Sequence, residues 1–101
     1  MNINHDTEQC TFSMEVDGHP AALSYRVVDS ETLEYYSTEV SDELRGRGVG
    51  GRLARHALDY ANEHGYKVIP TCWFVSKFLD RHKDYDHLRA DRGGKQGSTR
   101  D

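Results

Sequence analysis

The sequence predicts an α/β domain: an antiparallel meander of strands, then a strand–helix–strand unit and a short C-terminal helix. Three observations predict it. Residues 10–40 alternate apolar and polar positions in three runs parted by turn residues, the period-two pattern of half-buried strands. Residues 45–52 hold four glycines and three arginines and lead straight into a segment with helical periodicity. A further apolar run begins just past Gly65, where a returning strand belongs. Strand, glycine loop, helix, strand is a βαβ unit, and its crossover is expected to be right-handed.

Each element has its own signal. Residues 10–16 put Phe12, Met14 and Val16 on one face, and Asp17-Gly18 is a hairpin turn signal. Residues 21–28 form the second strand, with Leu23, Tyr25 and Val27 sharing a face; Asp29-Ser30-Glu31 is a polar turn. The third strand, residues 32–40, is rich in Tyr and Thr, which suit a pleated surface. Asp42 and Glu43 lie in the polar approach to the glycine loop. The helix shows Val49, Leu53, Ala57 and Ala61 at spacing four with Leu58 beside them, and Gly65 is the expected stop after Glu63-His64. Residues 67–75 read as a mostly buried strand, with Trp73 and Phe74 in the core or on a cleft wall. Residues 76–82 read as a short helix that turns Phe78 and Leu79 inward. Residues 1–9 are expected to be flexible and residues 10–88 to form the domain. Residues 89–101 carry Ala90 as their one apolar residue, with Gly93-Gly94 and Gly97, and read as a disordered tail.

Composition removes several function classes. A chain of 101 residues with 36% hydrophobic and 30% charged residues supports one core and one domain. The net charge of −4 argues against a general nucleic-acid role. The longest unbroken apolar run, Cys72-Trp73-Phe74-Val75, is far short of a membrane span. Residues 1–9 are polar and lack the apolar centre of a signal peptide. Two cysteines, Cys10 and Cys72, make neither a disulfide framework nor a metal spacing, so a reducing cytoplasm is the expected location. The six histidines are scattered, and no metal is expected. Nothing in the sequence sets the oligomeric state, and a monomer is preferred.

The chemistry concentrates at Arg45-Gly46-Arg47-Gly48-Val49-Gly50-Gly51-Arg52. Glycine lets a ligand approach the backbone closely, and a helix N-terminus leaves amide N–H groups unpaired with a partial positive charge behind them. Together these make an anion site, usually for phosphate or pyrophosphate. From Leu44 to Leu58 there are four arginines and no acid, although the whole chain is acidic. Gly46, Gly48 and Gly51 also fit the dinucleotide string G-x-G-x-x-G. That unit needs a strand running into its first glycine and an acid about 20 residues on. Here Ser41-Asp42-Glu43-Leu44 intervenes, and Pro70-Thr71-Cys72 stands where the acid belongs. A P-loop needs Lys then Ser or Thr after its last glycine, and this chain has Arg52 and Leu53. The third pattern, [Q/R]-x-x-G-x-[G/A], fits Arg45 to Gly50. The competing reading is a glycine-rich turn that only caps the helix.

This third pattern resembles the acyl-CoA pyrophosphate loop of the GNAT superfamily of N-acetyltransferases. The order of elements matches a minimal GNAT fold. The resemblance is closer still to the small YjdJ-like, or GNAT-like, single-domain subgroup. It is carried by Thr38-Glu39-Val40, Glu43-Leu44-Arg45-Gly46-Arg47-Gly48-Val49-Gly50, Leu58-Asp59-Tyr60-Ala61, Lys67-Val68-Ile69-Pro70-Thr71-Cys72 and His82-Lys83-Asp84-Tyr85. It spans residues 12–88.

The resemblance implies that the strands flanking the glycine loop splay apart and that the pantetheine arm of acetyl-CoA lies between them, paired with the strand 32–40. The implied cofactor-binding residues are Val40, Arg45, Gly46, Arg47, Gly48, Val49, Gly50, Gly51 and Arg52. Pro70 fits a strand whose neighbour is partly absent, because proline cannot donate to a ladder; an edge position fits it equally. Cys72 would lie near the thioester, either catalytically or as a small buried hydrophobe. Tyr85 is the implied donor of a proton to the departing CoA thiolate, with packing as its alternative. Arg55 is weighed between a phosphate contact and a solvated helix face, and His56 and His64 are assigned to a solvated face. Two positions depart from the subgroup: Ser37 stands where many relatives carry histidine, and Lys83 where many carry proline. Serine cannot serve as a base near neutral pH.

The expected function is therefore transfer of acetyl from acetyl-CoA to an unidentified amine acceptor, with no nucleic acid or membrane involved. Two other classes stay open. One is a non-catalytic CoA-binding module. The other is a pairing domain that uses its open sheet edge and has no affinity for CoA.

Overall fold

The computed structural model describes residues 2–90, and all that follows concerns them. Five strands form one sheet in the order β1-β2-β3-β4-β5: β1 (Asn4–Asp6), β2 (Thr11–Val16), β3 (His19–Asp29), β4 (Thr32–Val40) and β5 (Lys67–Pro70). The first four pair antiparallel, and β5 pairs parallel to β4. Helix α1 (Val49–Glu63) makes the crossover, and α2 (Trp73–Arg81) follows β5. Short 3-10 segments occupy Asp42–Leu44 and Lys83–Leu88.

The meander follows from its turn residues and its alternation. Asp17 and Gly18 take φ of 52° and 80°, the pair of left-handed conformations that a two-residue hairpin requires. Phe12, Met14, Val16, Leu23, Tyr25, Leu33 and Tyr35 are buried together, while Glu15, Arg26 and Tyr36 are exposed. Against that apolar face α1 sets Leu53, Ala54, Ala57, Leu58 and Ala61, all fully buried. Tyr35 ties the layers together by donating its hydroxyl to the Ala57 carbonyl. The helix ends at Gly65, φ 76°, where Tyr66 N–H reaches the Ala61 carbonyl at 2.8 Å and Gly65 N–H the Asn62 carbonyl at 3.4 Å. Those two bonds are a Schellman closure, so Gly65 is the stop its position predicts.

Three expectations need correction. The N-terminal stretch read as flexible contains β1, which pairs with β2 through Asn4↔Ser13 to Asp6↔Thr11. Its anchor is His5, whose ring stacks on Phe12 with centroids 4.1 Å apart. The strand read over residues 67–75 stops at Pro70, and Trp73 to Val75 open α2 instead. A short apolar run suits a buried strand and a helix equally, and the burial of Val75, Phe78 and Leu79 at helical spacing decides it. Trp73 is consequently 72% exposed and no part of the core. Finally, the tail does not begin at 89. Arg89 is buried, donates to Asp80 at 3.1 Å and forms a bridge with Val68, and Ala90 N–H donates to the Val68 carbonyl. Residues 91–101, the rest of the expected tail, lie outside the described residues.

Candidate functional site

The site begins where β4 outruns β5. Parallel pairing covers Thr32↔Lys67 to Tyr35↔Pro70 and goes no further, while β4 continues to Val40. Pro70 ends the ladder and has no N–H to extend it. One more bond, Cys72 N–H to the Tyr35 carbonyl at 2.9 Å, holds the chain before it turns into α2. The register between β3 and β4 also shifts there: Ser24 faces Ser37 and Tyr25 faces Tyr35, leaving Tyr36 as the extra residue of a bulge. The second half of β4 therefore presents one backbone edge to an opening.

The glycine loop closes the far end of that opening. Gly46 and Gly48 take φ of 78° and 76°, the left-handed region in which glycine carries no steric penalty. Gly48 caps α1 through its backbone, with Arg52 N–H on its carbonyl at 3.1 Å and no side-chain cap. Helix geometry leaves the amides of Val49, Gly50 and Gly51 without intrahelical acceptors. Gly50 has a second role. A Cβ there would sit 2.9 Å from Cζ of Phe74, so the missing side chain is what lets α2 close on α1.

Two cavities meet over this loop. One, of about 340 Å³, is walled by Thr38 and Val40 of β4, by Leu44, Arg45 and Gly46, and by the start of α1. The other, of about 580 Å³, lies between α1 and α2 and is lined by Arg52, Arg55, Trp73, Lys77, Phe78, Arg81 and His82. Gly48, Gly51 and Phe74 belong to both, so the two are neighbours across the Phe74 ring.

Of the residues singled out from sequence, Val40, Arg45, Gly46, Gly48, Val49, Gly50, Gly51 and Arg52 come together on these walls. Arg47 does not line them; its guanidinium donates to Asp17 Oδ2 at 2.9 Å and ties the loop to the β2–β3 hairpin. Arg45 pairs with Asp42 at 3.1 Å on an exposed surface, an arrangement that holds little energy. Cys72 stands just behind the smaller cavity as the residue preceding α2, with Sγ 3.3 Å from Thr38 Oγ1. Tyr85 is set apart from both cavities. It is buried, donates its hydroxyl to Asp59 Oδ1 at 2.6 Å and receives Arg55 Nη1 at 3.1 Å. Burial, then the hydrogen bond and charge of Asp59, raise its pKa above the usual tyrosine value. Ser37, at the position read as lacking a histidine, is half-buried opposite Ser24.

Sequence reasoning missed Thr38, Lys77 and Arg81 as wall residues, and Phe74 takes the cleft-wall place that was one of its two readings. Trp73, Lys77 and Arg81 fall at i, i+4 and i+8, one stripe of α2, and reading residues 73–75 as strand hid that spacing. Among the described residues there is no group of histidine, cysteine and acidic side chains that could hold a metal, and no helix long and apolar enough to cross a membrane.

Comparison with known proteins points the same way. Residues 11–88 match the family described as GCN5-related N-acetyl-transferase. Protein NATD1 of Xenopus tropicalis is 35% identical over 81 residues, which cover 78% of this chain and 74% of that protein. Protein NATD1 of Danio rerio is 31% identical over 90 residues, covering 87% and 82%. The solution structure of a GCN5-like protein from Staphylococcus aureus is similar with a TM-score of 0.71 and 30% identity, over 87% of this chain and 86% of that one. The meander, central helix and βαβ unit of the present fold are thus those of a minimal GNAT topology.

Proposed function

The chain belongs to the GCN5-related N-acetyltransferase family, and on that premise we propose that it binds acetyl-CoA across the 46–51 loop and transfers the acetyl group to an amine. Family membership supports a general acetyl-CoA-dependent acetyltransferase activity. The finer reading, a minimal single-domain enzyme of the YjdJ-like kind acting in the cytosol on a small or peptide amine, is ours.

One observation carries it: the half of β4 without a β5 partner leads into a loop of unpaired amides at a helix start, with cavities on both sides. The pyrophosphate would rest on the amides of Gly46 to Gly51, with Arg52 beside them. The pantetheine arm would follow Val40 and Thr38, using the backbone groups that β5 leaves open. Its thioester then arrives beside Cys72 and Thr38. Acetyl-CoA supplies an activated acyl group, so an unprotonated amine attacks the carbonyl directly and CoA leaves as the thiolate. The protein contributes positioning and backbone N–H groups for the developing oxyanion. Solvent removes the ammonium proton, since Ser37 supplies no base. Tyr85, committed to Asp59, acts by holding Arg55 at the larger cavity and does not meet the thiolate.

Ser37 also favours a second reading, a CoA-binding module without turnover. Calorimetry with acetyl-CoA and CoA, followed by an acetylation assay over a panel of amines, tests both. Binding with turnover on an amine supports the enzyme. Binding without turnover on any amine supports the module. No affinity for either ligand contradicts both.

A further inference from the structure

The glycine loop has little packing of its own. Leu44 and Val49 are buried at its two ends, while Arg45, Gly46, Arg47 and Gly48 between them are exposed. Gly46 and Gly48 sit at φ of 78° and 76°, with nothing within 4 Å of where a Cβ would be. Neighbouring side chains therefore do not fix this run, and glycine has the widest backbone freedom of any residue. Arg45 pairs within the loop, on Asp42. Of these four described residues, Arg47 is the one whose side chain reaches another element, through Nη2 on Asp17 Oδ2 at 2.9 Å.

Asp17 stands on a firm support. It and Gly18 form the two-residue turn between β2 and β3, and the pairing of those strands is unbroken from Val16↔His19 to Thr11↔Ser24. The same hairpin also holds the approach to the loop. The Pro20 carbonyl accepts from Ser41 N–H at 3.2 Å and from Ser41 Oγ at 2.8 Å, and His19 Nδ1 stands 3.6 Å from Glu43 Oε1. The β2–β3 hairpin thus grips the chain just before the loop and, through Asp17 and Arg47, the loop itself.

We infer that Asp17 is a positioning residue for the donor: by holding Arg47 it keeps residues 46–48 in the one conformation whose amides converge on an anion. The inference rests on the donor reading above. It gives Arg47 an indirect part, with its guanidinium on the hairpin and not on phosphate. A loop that is already ordered binds its anion without first losing conformational freedom. Both partners of the pair are partly exposed, so it has the strength of a surface ion pair, and its loss should weaken the donor about three- to fivefold. The sign of the effect separates a tether from a bare charge. Asp17 is a carboxylate near an anion site, and if charge alone acted, removing it would tighten an anionic ligand. As a tether, its removal weakens that ligand.

Asp17→Asn is the decisive variant, because asparagine has the same shape and tolerates the left-handed φ of 52° at this turn. Measure acetyl-CoA affinity by calorimetry in wild type, Asp17→Asn, Arg47→Ala and the double variant, and record the ¹⁵N heteronuclear NOE of each protein without ligand. Each single variant should weaken acetyl-CoA about three- to fivefold. The double variant should lose no more than either single one, because all three remove the same interaction. The NOE of Gly46 and Gly48 should fall in every variant while that of β2, β3 and α1 stays at the wild-type level. Affinity that holds or tightens in Asp17→Asn overturns the inference, and a loss confined to Arg47→Ala returns Arg47 to the phosphate. Losses that add in the double variant overturn it, as does an unchanged NOE at Gly46 and Gly48; in each of these cases the donor reading stands. Failure of wild type to bind acetyl-CoA overturns the donor reading itself, and the inference with it.

Discussion

The Cys72 thiol donates to Thr38 Oγ1 at 3.3 Å, across the opening that appears where β4 runs on past β5. The contact fixes what the cysteine can do. A threonine hydroxyl does not take a proton from a thiol near neutral pH, and a covalent route needs an activated thiolate. We therefore expect direct transfer. Incubation with acetyl-CoA alone, rapid acid quench and intact mass should show no added acetyl group. Cys72→Ser should keep its rate within about tenfold, well short of the ~10²–10⁴-fold that loss of a proton-transfer catalyst costs. A quantitative adduct that depends on Cys72 and chases onto an amine would contradict this.

Tyr85 is predicted to be a positioning residue. Its hydroxyl is shared between Asp59 and Arg55, and its raised pKa keeps it protonated where a proton donor would need to give the proton up. Tyr85→Phe should cost about 1–2 kcal/mol of stability through the lost buried hydrogen bonds. It should also weaken acetyl-CoA by releasing Arg55, and leave kcat nearly unchanged. A large fall in kcat with unchanged affinity would restore the acid role.

The loop glycines should fail in different ways. Gly48 sits at φ 76° with open space around the missing side chain, so Gly48→Ala costs only backbone strain, about 1–2 kcal/mol. Gly50 has an ordinary backbone, but an added Cβ would meet Phe74 at 2.9 Å. Gly50→Ala should lose about 1–3 kcal/mol by overpacking and shift the Phe74 ring that both cavities share. At roughly 4–8 °C per kcal/mol in a domain of this size, thermal melts resolve both effects. Acetyl-CoA affinity should fall further in Gly50→Ala than in Gly48→Ala, and the reverse order would mean that Phe74 does not shape the site.

Stability should depend on pH through β1. His5 Nε2 and the Tyr25 hydroxyl meet at 2.7 Å. Burial, then the charges of His56 and His64, lower the His5 pKa below its ordinary 6.5. Burial pushes Tyr25 up to about 12. The folded state thus prefers both groups neutral. The His5 contribution is complete above about pH 6.5 and is lost as the pH falls below it, because the unfolded chain takes up the proton first. The Tyr25 contribution is complete below about pH 10 and is lost as the pH rises from there toward 12. Thermal melts from pH 8 down to pH 5 should show a falling Tm that flattens in His5→Phe. An unchanged slope in that variant would assign the acid limb elsewhere.

Much of this was legible in the sequence, for identifiable reasons. The meander announced itself because one face of β2, β3 and β4 is buried and the other is not, which enforces alternation. Gly18, Gly46, Gly48 and Gly65 marked real turns because each occupies a positive φ that other residues avoid. The loop and Val40 could be brought to the walls of one opening because glycines at a helix start and the end of a strand are features of the backbone. What was hidden depends on long-range contacts. Asp17 meets Arg47 across 30 residues, and Asp59 meets Tyr85 across 26, and no local pattern announces either pair. The change from strand to helix at Cys72 was hidden because four apolar residues in a row carry no period. With it went the stripe of Trp73, Lys77 and Arg81.

The central claim is that the donor lies on the 46–51 loop and along the open half of β4. Amide chemical-shift mapping on ¹⁵N-labelled protein during titration with acetyl-CoA tests it most directly, residue by residue. The account predicts saturable shifts at Gly46, Gly48, Val49, Gly50, Gly51, Thr38 and Val40, with the Trp73 indole moving in step, and their loss in Gly48→Asp, which puts a carboxylate where phosphate should sit. Saturable shifts elsewhere that leave those residues unmoved, or no shifts at millimolar acetyl-CoA, would contradict it.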